Sequence, residues 1–223
     1  MKYRMLLTSA ALAAMLSGCG GGSGGLNSTP TPTPTPAPTN TTLSDLKASQ
    51  SFTNDAAATK ALFDLVTKTG ISGSAAKATL SIAYDAKTNG YTLTTDGHAQ
   101  TFLPGDIASQ GTYDTVYAKT GADGSERLTL TRTGYTSSTP RSYVGLGYWQ
   151  RNATSGDRQN MDFSVFTYGL ATPGSAVPRT GTAAYGIDVF GLVTKPGEEP
   201  MNTQGTGTFN VDFAAGIFSS QTW

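Results

Sequence analysis

The sequence predicts an all-β domain, an antiparallel β-barrel or sandwich, preceded by one short α-helix, a signal peptide and a disordered linker. Two observations carry the β prediction. After Gly73 the apolar residues repeat with period two rather than three or four. Short turn-forming pieces then separate the apolar runs, with no helical stretch between them of the kind that parallel α/β folding requires.

The N-terminus reads as a leader. Lys2 and Arg4 make a positive start, and residues 5–16 are rich in Leu, Ala and Met but too short to span a bilayer. Leu16-Ser17-Gly18-Cys19 follows, and Cys19 is the chain's only cysteine. The pattern resembles the bacterial lipobox, which implies a signal peptide over residues 1–18, cleavage before Cys19 and acylation of its thiol. Each buried methylene contributes about 0.8 kcal/mol, so two or three acyl chains hold a protein on a membrane where one does not. Gly20 rather than Asp follows the cysteine, which resembles an outer-membrane sorting signal.

Residues 19–42 form the linker. Residues 20–25 are nearly all glycine, and residues 29–39 alternate Thr and Pro. Neither stretch can bury a core. The Thr-Pro tract favours polyproline II and would span roughly 30 Å as a stiff spacer. The glycines create two false motifs, a serine-hydrolase elbow and a dinucleotide-binding pattern. Both need a strand before and a helix after, and here a leader precedes and a Thr-Pro tract follows.

Residues 43–223 form the folded domain. Within residues 54–69, Ala61, Leu62, Leu65 and Val66 repeat at helical spacing, with Thr53 or Asn54 placed to cap and Gly70 to terminate. That spacing predicts a helix. Strands are predicted over residues 78–84, 91–95, 98–103, 113–119, 126–133, 142–150, 162–169, 182–190, 207–213 and 217–221. Asn89-Gly90 suits a tight turn, and residues 121–124, 152–157, 173–174 and 195–197 are further turns. In residues 182–190, Ala183, Tyr185, Ile187 and Val189 share one face.

Several strings then resemble a known family. Tyr143-Val144-Gly145-Leu146-Gly147-Tyr148-Trp149 is followed by Phe166-Thr167-Tyr168-Gly169. Gly181-Thr182-Ala183-Ala184-Tyr185 precedes Gly207-Thr208-Phe209-Asn210-Val211-Asp212-Phe213. Across residues 78–223 the chain resembles the β-barrel domain of transferrin-binding-protein-B-like surface lipoproteins, in their divergent environmental proteobacterial branch. In that family the barrel continues past the Val-Asp-Phe strand, so the resemblance implies a barrel that closes with fewer strands or is incomplete at Trp223. An exposed last edge would invite strand pairing with another chain.

Charge and chemistry exclude several classes. The chain carries 15 basic and 15 acidic side chains, and loss of Lys2 and Arg4 with the leader leaves a small acidic excess. That gives no electrostatic case for nucleic acid. His98 is the only histidine and reads as a surface residue. No zinc or calcium spacing is present, Glu198-Glu199 reads as a solvated loop pair, and no nucleophile lies beside a base. The expectation is no enzyme, no catalytic or metal residues and no cofactor.

Binding rests on aromatics and on a loop. Tyr143, Tyr148, Trp149, Phe163, Phe166 and Tyr168 cluster on two consecutive strands, where most read as core or barrel wall and interface anchors are the functional alternative. The segment 151–158, with Arg151 and Arg158 beside Trp149 and Tyr148, reads as the contact loop, since Trp, Tyr and Arg anchor interfaces. The resemblance implies an outer-membrane, surface-facing lipoprotein held by Cys19 that captures a protein or metal-bearing ligand without catalysis, with a protein partner or outer-membrane receptor. Two alternatives stand beside it: a small-ligand or haem carrier, and a structural envelope lipoprotein.

Overall fold

The computed structural model describes residues 39–95, 97–122, 124–133, 140–193, 195, 196, 198 and 201–223. The leader, Cys19 and the Thr-Pro tract as far as residue 38 lie outside them, as do Asp96, Asp123, Gly197 and Glu199 of the predicted turns and acidic pair.

Every strand pairing is antiparallel, and three open sheets result. The first runs β1 (Gln50–Ser51), β4 (Leu80–Asp85), β5 (Gly90–Thr95), β6 (His98–Phe102). The second has seven strands: β3 (Thr69–Lys77), β2 (Thr53–Asp64), β11 (Arg158–Gly169), β10 (Val144–Ser155), β9 (Gly124–Thr131), β8 (Asp114–Gly121) and β7 (Ile107–Gln110). The third joins β12 (Thr182–Val193), β13 (Met201–Asp212) and β14 (Ile217–Thr222). The all-β antiparallel class therefore holds, in open form. None of the sheets closes on itself; the apolar face of the seven-stranded sheet is instead covered by the four-stranded one.

That cover makes the core. Ile82, Tyr84, Leu93 and Phe102 of the smaller sheet pack with Tyr117, Leu128, Trp149, Phe166 and Tyr168 of the larger. Trp149, Phe102, Phe166, Ile82, Leu93 and Leu128 are all under 2% exposed, and each such side chain contributes about 1.5–3 kcal/mol by leaving water. Two glycines make room for the largest rings. A Cβ on Gly147 would lie 2.2 Å from the Phe166 ring, and one on Gly145 2.5 Å from the Tyr168 ring. The Gly-Leu-Gly string is thus a flat bed on β10 for aromatics projecting from β11.

The predicted helix is absent: residues 53–64 are strand β2, and among the described residues no helix reaches seven residues. Alanine favours helix by its backbone propensity, but here tertiary pairing overrides it. β2 is held on both sides, by β3 and by β11. Its small side chains fit opposite large ones, Ala56 facing Phe166 and Ala61 facing Met161. Asn54, the expected cap, sends its side-chain N–H to the Leu80 carbonyl at 2.6 Å. Gly70, the expected terminator, lies in β3 and donates to the Glu198 carbonyl at 3.0 Å.

Three hairpins share one loop chemistry. Four residues follow Asp64, Asp85 and Asp212, and the last of each four has positive φ: Lys68 at 60°, Asn89 at 53° and Gly216 at 65°. Each Asp Oδ1 accepts backbone N–H groups of its own loop, from Val66 and Thr67, from Lys87, and from Ala214 and Ala215. These bonds favour the carboxylate, so the backbone N–H of Thr67 and then Val66 pull the Asp64 pKa down, as Lys87 N–H and the Thr88 and Ser49 hydroxyls do for Asp85.

Candidate functional site

The β10–β11 hairpin turns on two residues only, Gly156 and Asp157, with Gly156 at φ 57°. Both strands therefore run to the turn, and the segment read as a contact loop is mostly strand. Arg151 pairs in register with Asp162 on β11 and with Glu126 on β9. Asp162 in turn faces Lys60 on β2, and Glu126 faces Lys119 on β8. Five neighbouring strands thus place Lys60, Asp162, Arg151, Glu126 and Lys119 in one transverse row of alternating charge. Cross-strand pairs of opposite sign stabilise a sheet, and like charges there would repel.

The next row inward is the apolar core, with Trp149 between Leu128 and Ser164. The charge row marks where the smaller sheet stops covering the larger. His98, first residue of edge strand β6, closes that boundary. Its ring stacks on Trp149 at 5.6 Å between centroids and 30° between planes, and its Nε2 meets Glu126 Oε1 at 2.9 Å. The indole N–H of Trp149 donates to Glu126 Oε2 at 3.0 Å. Arg151 pairs with Asp162 and sets its guanidinium 5.3 Å from the Trp149 ring centre. Lys119 adds an ion pair to Asp106 at 3.2 Å. A groove of about 520 Å³ opens over this cluster, its walls including His98, Lys119, Glu126 and Arg151. A smaller hollow of about 250 Å³ lies beyond the Arg151–Asp162 pair.

The predicted contact residues do not converge. Trp149 is 1% exposed, so it is a core residue and not an interface anchor. Tyr148 points to the opposite face of the sheet, stacked on Phe163 at 6.3 Å and 18°. Arg158 sits beside the hairpin turn, 4.0 Å from Asp64 and about 13 Å along the strand from Asp162. Only Arg151 reaches the groove. His98 is no idle surface residue, since it spans the two sheets. Among the described residues, no group of three or more His, Asp or Glu side chains is arranged to hold a metal ion.

His98 stood out in the sequence only as a lone histidine with a surface reading, and Glu126, Asp162 and Lys119 did not stand out at all. Two of the pairings were nonetheless countable. Arg151 and Asp162 are equidistant from a Gly156-Asp157 turn, and Lys119 and Glu126 are equidistant from the turn between Gly121 and Gly124.

The outer surface differs in kind. The β12–β14 sheet carries Tyr185, Phe209 and Phe218 as a continuous aromatic row, with ring centres 6.3 and 5.4 Å apart. Tyr185 is 51% exposed and Phe218 71%, and every residue of β14 is exposed. No protein-family model, curated protein or solved structure matches the chain.

Proposed function

We propose that this chain is an outer-membrane lipoprotein, acylated at Cys19, that holds an all-β domain at the cell surface on a Gly and Thr-Pro tether. Its task is non-enzymatic capture of a partner, a protein or a metal-bearing ligand, in the manner the likeness to transferrin-binding-protein-B-like lipoproteins implies. The observation that carries the reading is the aromatic row on one face of the β12–β14 sheet, where Phe209 lies between Tyr185 and Phe218 and both of these are exposed to solvent. Contiguous apolar surface of this kind marks contact sites on soluble domains. β14 itself, Ile-Phe-Ser-Ser-Gln-Thr, has neither charge nor proline to discourage an added strand. The lipobox and tether support the location; the open edge supports a protein partner over a purely structural role.

The test is a photo-crosslinking amino acid placed at Phe218 or, as a control, at Arg158 in intact cells. Discrete adducts from position 218 alone, lost when Cys19→Ala prevents acylation, are expected. Adducts from neither site, or the same adducts from both, overturn the capture surface. Protease treatment of intact cells that leaves the domain uncut overturns the surface location.

A further inference from the structure

The row Lys60, Asp162, Arg151, Glu126 and Lys119 crosses five strands of the seven-stranded sheet. Strands lie about 4.8 Å apart, so the row runs roughly 19 Å across the sheet. One pleat further out on the same face, Gly121, Gly124 and Ala153 stand in register with one another. They leave a shelf with no side chain longer than a methyl, and the groove of about 520 Å³ lies over it. His98 and Gln100 of β6 form the facing wall. Arg151 and Asp162 also line the hollow of about 250 Å³, which reaches Lys60, Ser74 and Thr95. The charged groups are held before any ligand arrives: Glu126 by Trp149 and His98, Arg151 by Asp162, and Lys119 by Asp106. Hydrogen-bonding capacity is left over. Asp162 meets Arg151 through Oδ2, and among the described residues nothing donates to its Oδ1. Lys119 keeps ammonium N–H groups beyond the one aimed at Asp106.

We infer that this shelf binds a neutral oligosaccharide. Donors and acceptors alternate along the row, and a sugar hydroxyl is both at once. It accepts from Arg151 or Lys119 while donating to Glu126 or Asp162. A ligand of a single charge sign would be repelled by every second member of the row. An extended peptide needs open backbone N–H and C=O groups to pair with, and here the strands spend theirs on one another. Hydrogen bonds to charged groups are the stronger kind, and side chains already fixed by partners lose little freedom on binding. The site is separate from the aromatic row of the β12–β14 sheet, and a sugar bound here leaves that face open.

The experiment applies the full chain, kept free of sugar-headed detergents, to an array of neutral and acidic oligosaccharides. The best-retained neutral glycan is then titrated by calorimetry. Saturable one-to-one binding is expected, changing less than about twofold between low and physiological salt, as suits an uncharged ligand. Asp162→Ala should weaken it about tenfold or more, since a hydrogen bond to a charged group is worth that much. Ala153→Phe fills the shelf from an exposed position and, with the thermal midpoint checked for folding, should abolish binding. Phe218→Ala should leave it unchanged, which keeps this site distinguishable from the capture surface on β14. No neutral glycan that saturates below about 1 mM overturns the site. So does retention of acidic glycans alone, or an affinity that Asp162→Ala and Ala153→Phe both leave as in the parent chain.

Discussion

Glu126 accepts the indole N–H of Trp149 at 3.0 Å with one carboxylate oxygen and meets His98 Nε2 at 2.9 Å with the other. The contact ties β9 to β10 within one sheet and to β6 of the other. Glu126→Ala leaves the Trp149 donor without its partner inside a ring that is 1% exposed. A loss of about 1–3 kcal/mol is expected, read as a lower urea midpoint. Glu126→Gln keeps an acceptor oxygen and should lose less, and His98→Ala, which removes one partly exposed hydrogen bond to Glu126, should lose about 0.5–1.5 kcal/mol.

Two glycine substitutions should separate. Gly147→Ala drives a methyl to 2.2 Å from the Phe166 ring, and overpacking of this kind costs about 1–3 kcal/mol. Gly186→Ala meets nothing within 4 Å, so its thermal midpoint should match the parent's within the roughly 0.5 kcal/mol typical of open surface sites. Equal effects at the two positions would contradict the aromatic bed on β10.

Alkaline sensitivity follows from the buried tyrosines. Burial raises the Tyr91 and Tyr168 phenols far above their ordinary value near 10, and raises Tyr117 and Tyr84 as well. A phenol whose folded pKa exceeds its unfolded one contributes stability that is intact below pH 10 and is lost as pH climbs above it. Unfolding monitored by circular dichroism should begin above that pH. Replacing Tyr91 and Tyr168 by Phe together should move its onset upward relative to the stability at neutral pH.

At the acid end the sign reverses. The Asp64 and Asp85 carboxylates are held below their usual range by loop N–H groups and hydroxyls, so what they contribute is present above the ordinary Asp value and is lost as pH falls through the lowered one. Hydrogen exchange at the amides of Val66, Thr67 and Lys87 should speed up in Asp64→Ala and Asp85→Ala respectively. Unchanged exchange would mean that the positive-φ residue alone holds the loop.

Cys19→Ala should abolish incorporation of a labelled palmitate analogue while the far-UV spectrum of the domain stays that of an all-β protein. Persistent labelling in this variant would remove the anchor from the proposal.

Period-two alternation marked strands such as β4, β9 and β10, because one face of each is more buried than the other, but it did not mark β7 or the first half of β13. It failed over residues 53–64. Alanine carries little information about which face is inside, and the run Ala56-Ala57-Ala58 satisfies a helix and a strand equally well until its neighbours are known. The aromatic cluster on β10 and β11 was visible as well, but its allegiance was not. Trp149 and Tyr148 are adjacent in sequence, and the pleat sends one into the core and the other to the outer face.

By itself the sequence determined the all-β class and tight turns such as the one at Asn89-Gly90, since each depends on residues within a few positions of one another. Tertiary structure alone decided that the sheets stay open and that β2 is a strand. It also decided that Lys60, Asp162, Arg151, Glu126 and Lys119 stand in one row, and that the chain's only histidine rests on its buried tryptophan. Those relationships join residues tens of positions apart, and only the register of paired strands, which is set by the whole sheet, brings them together.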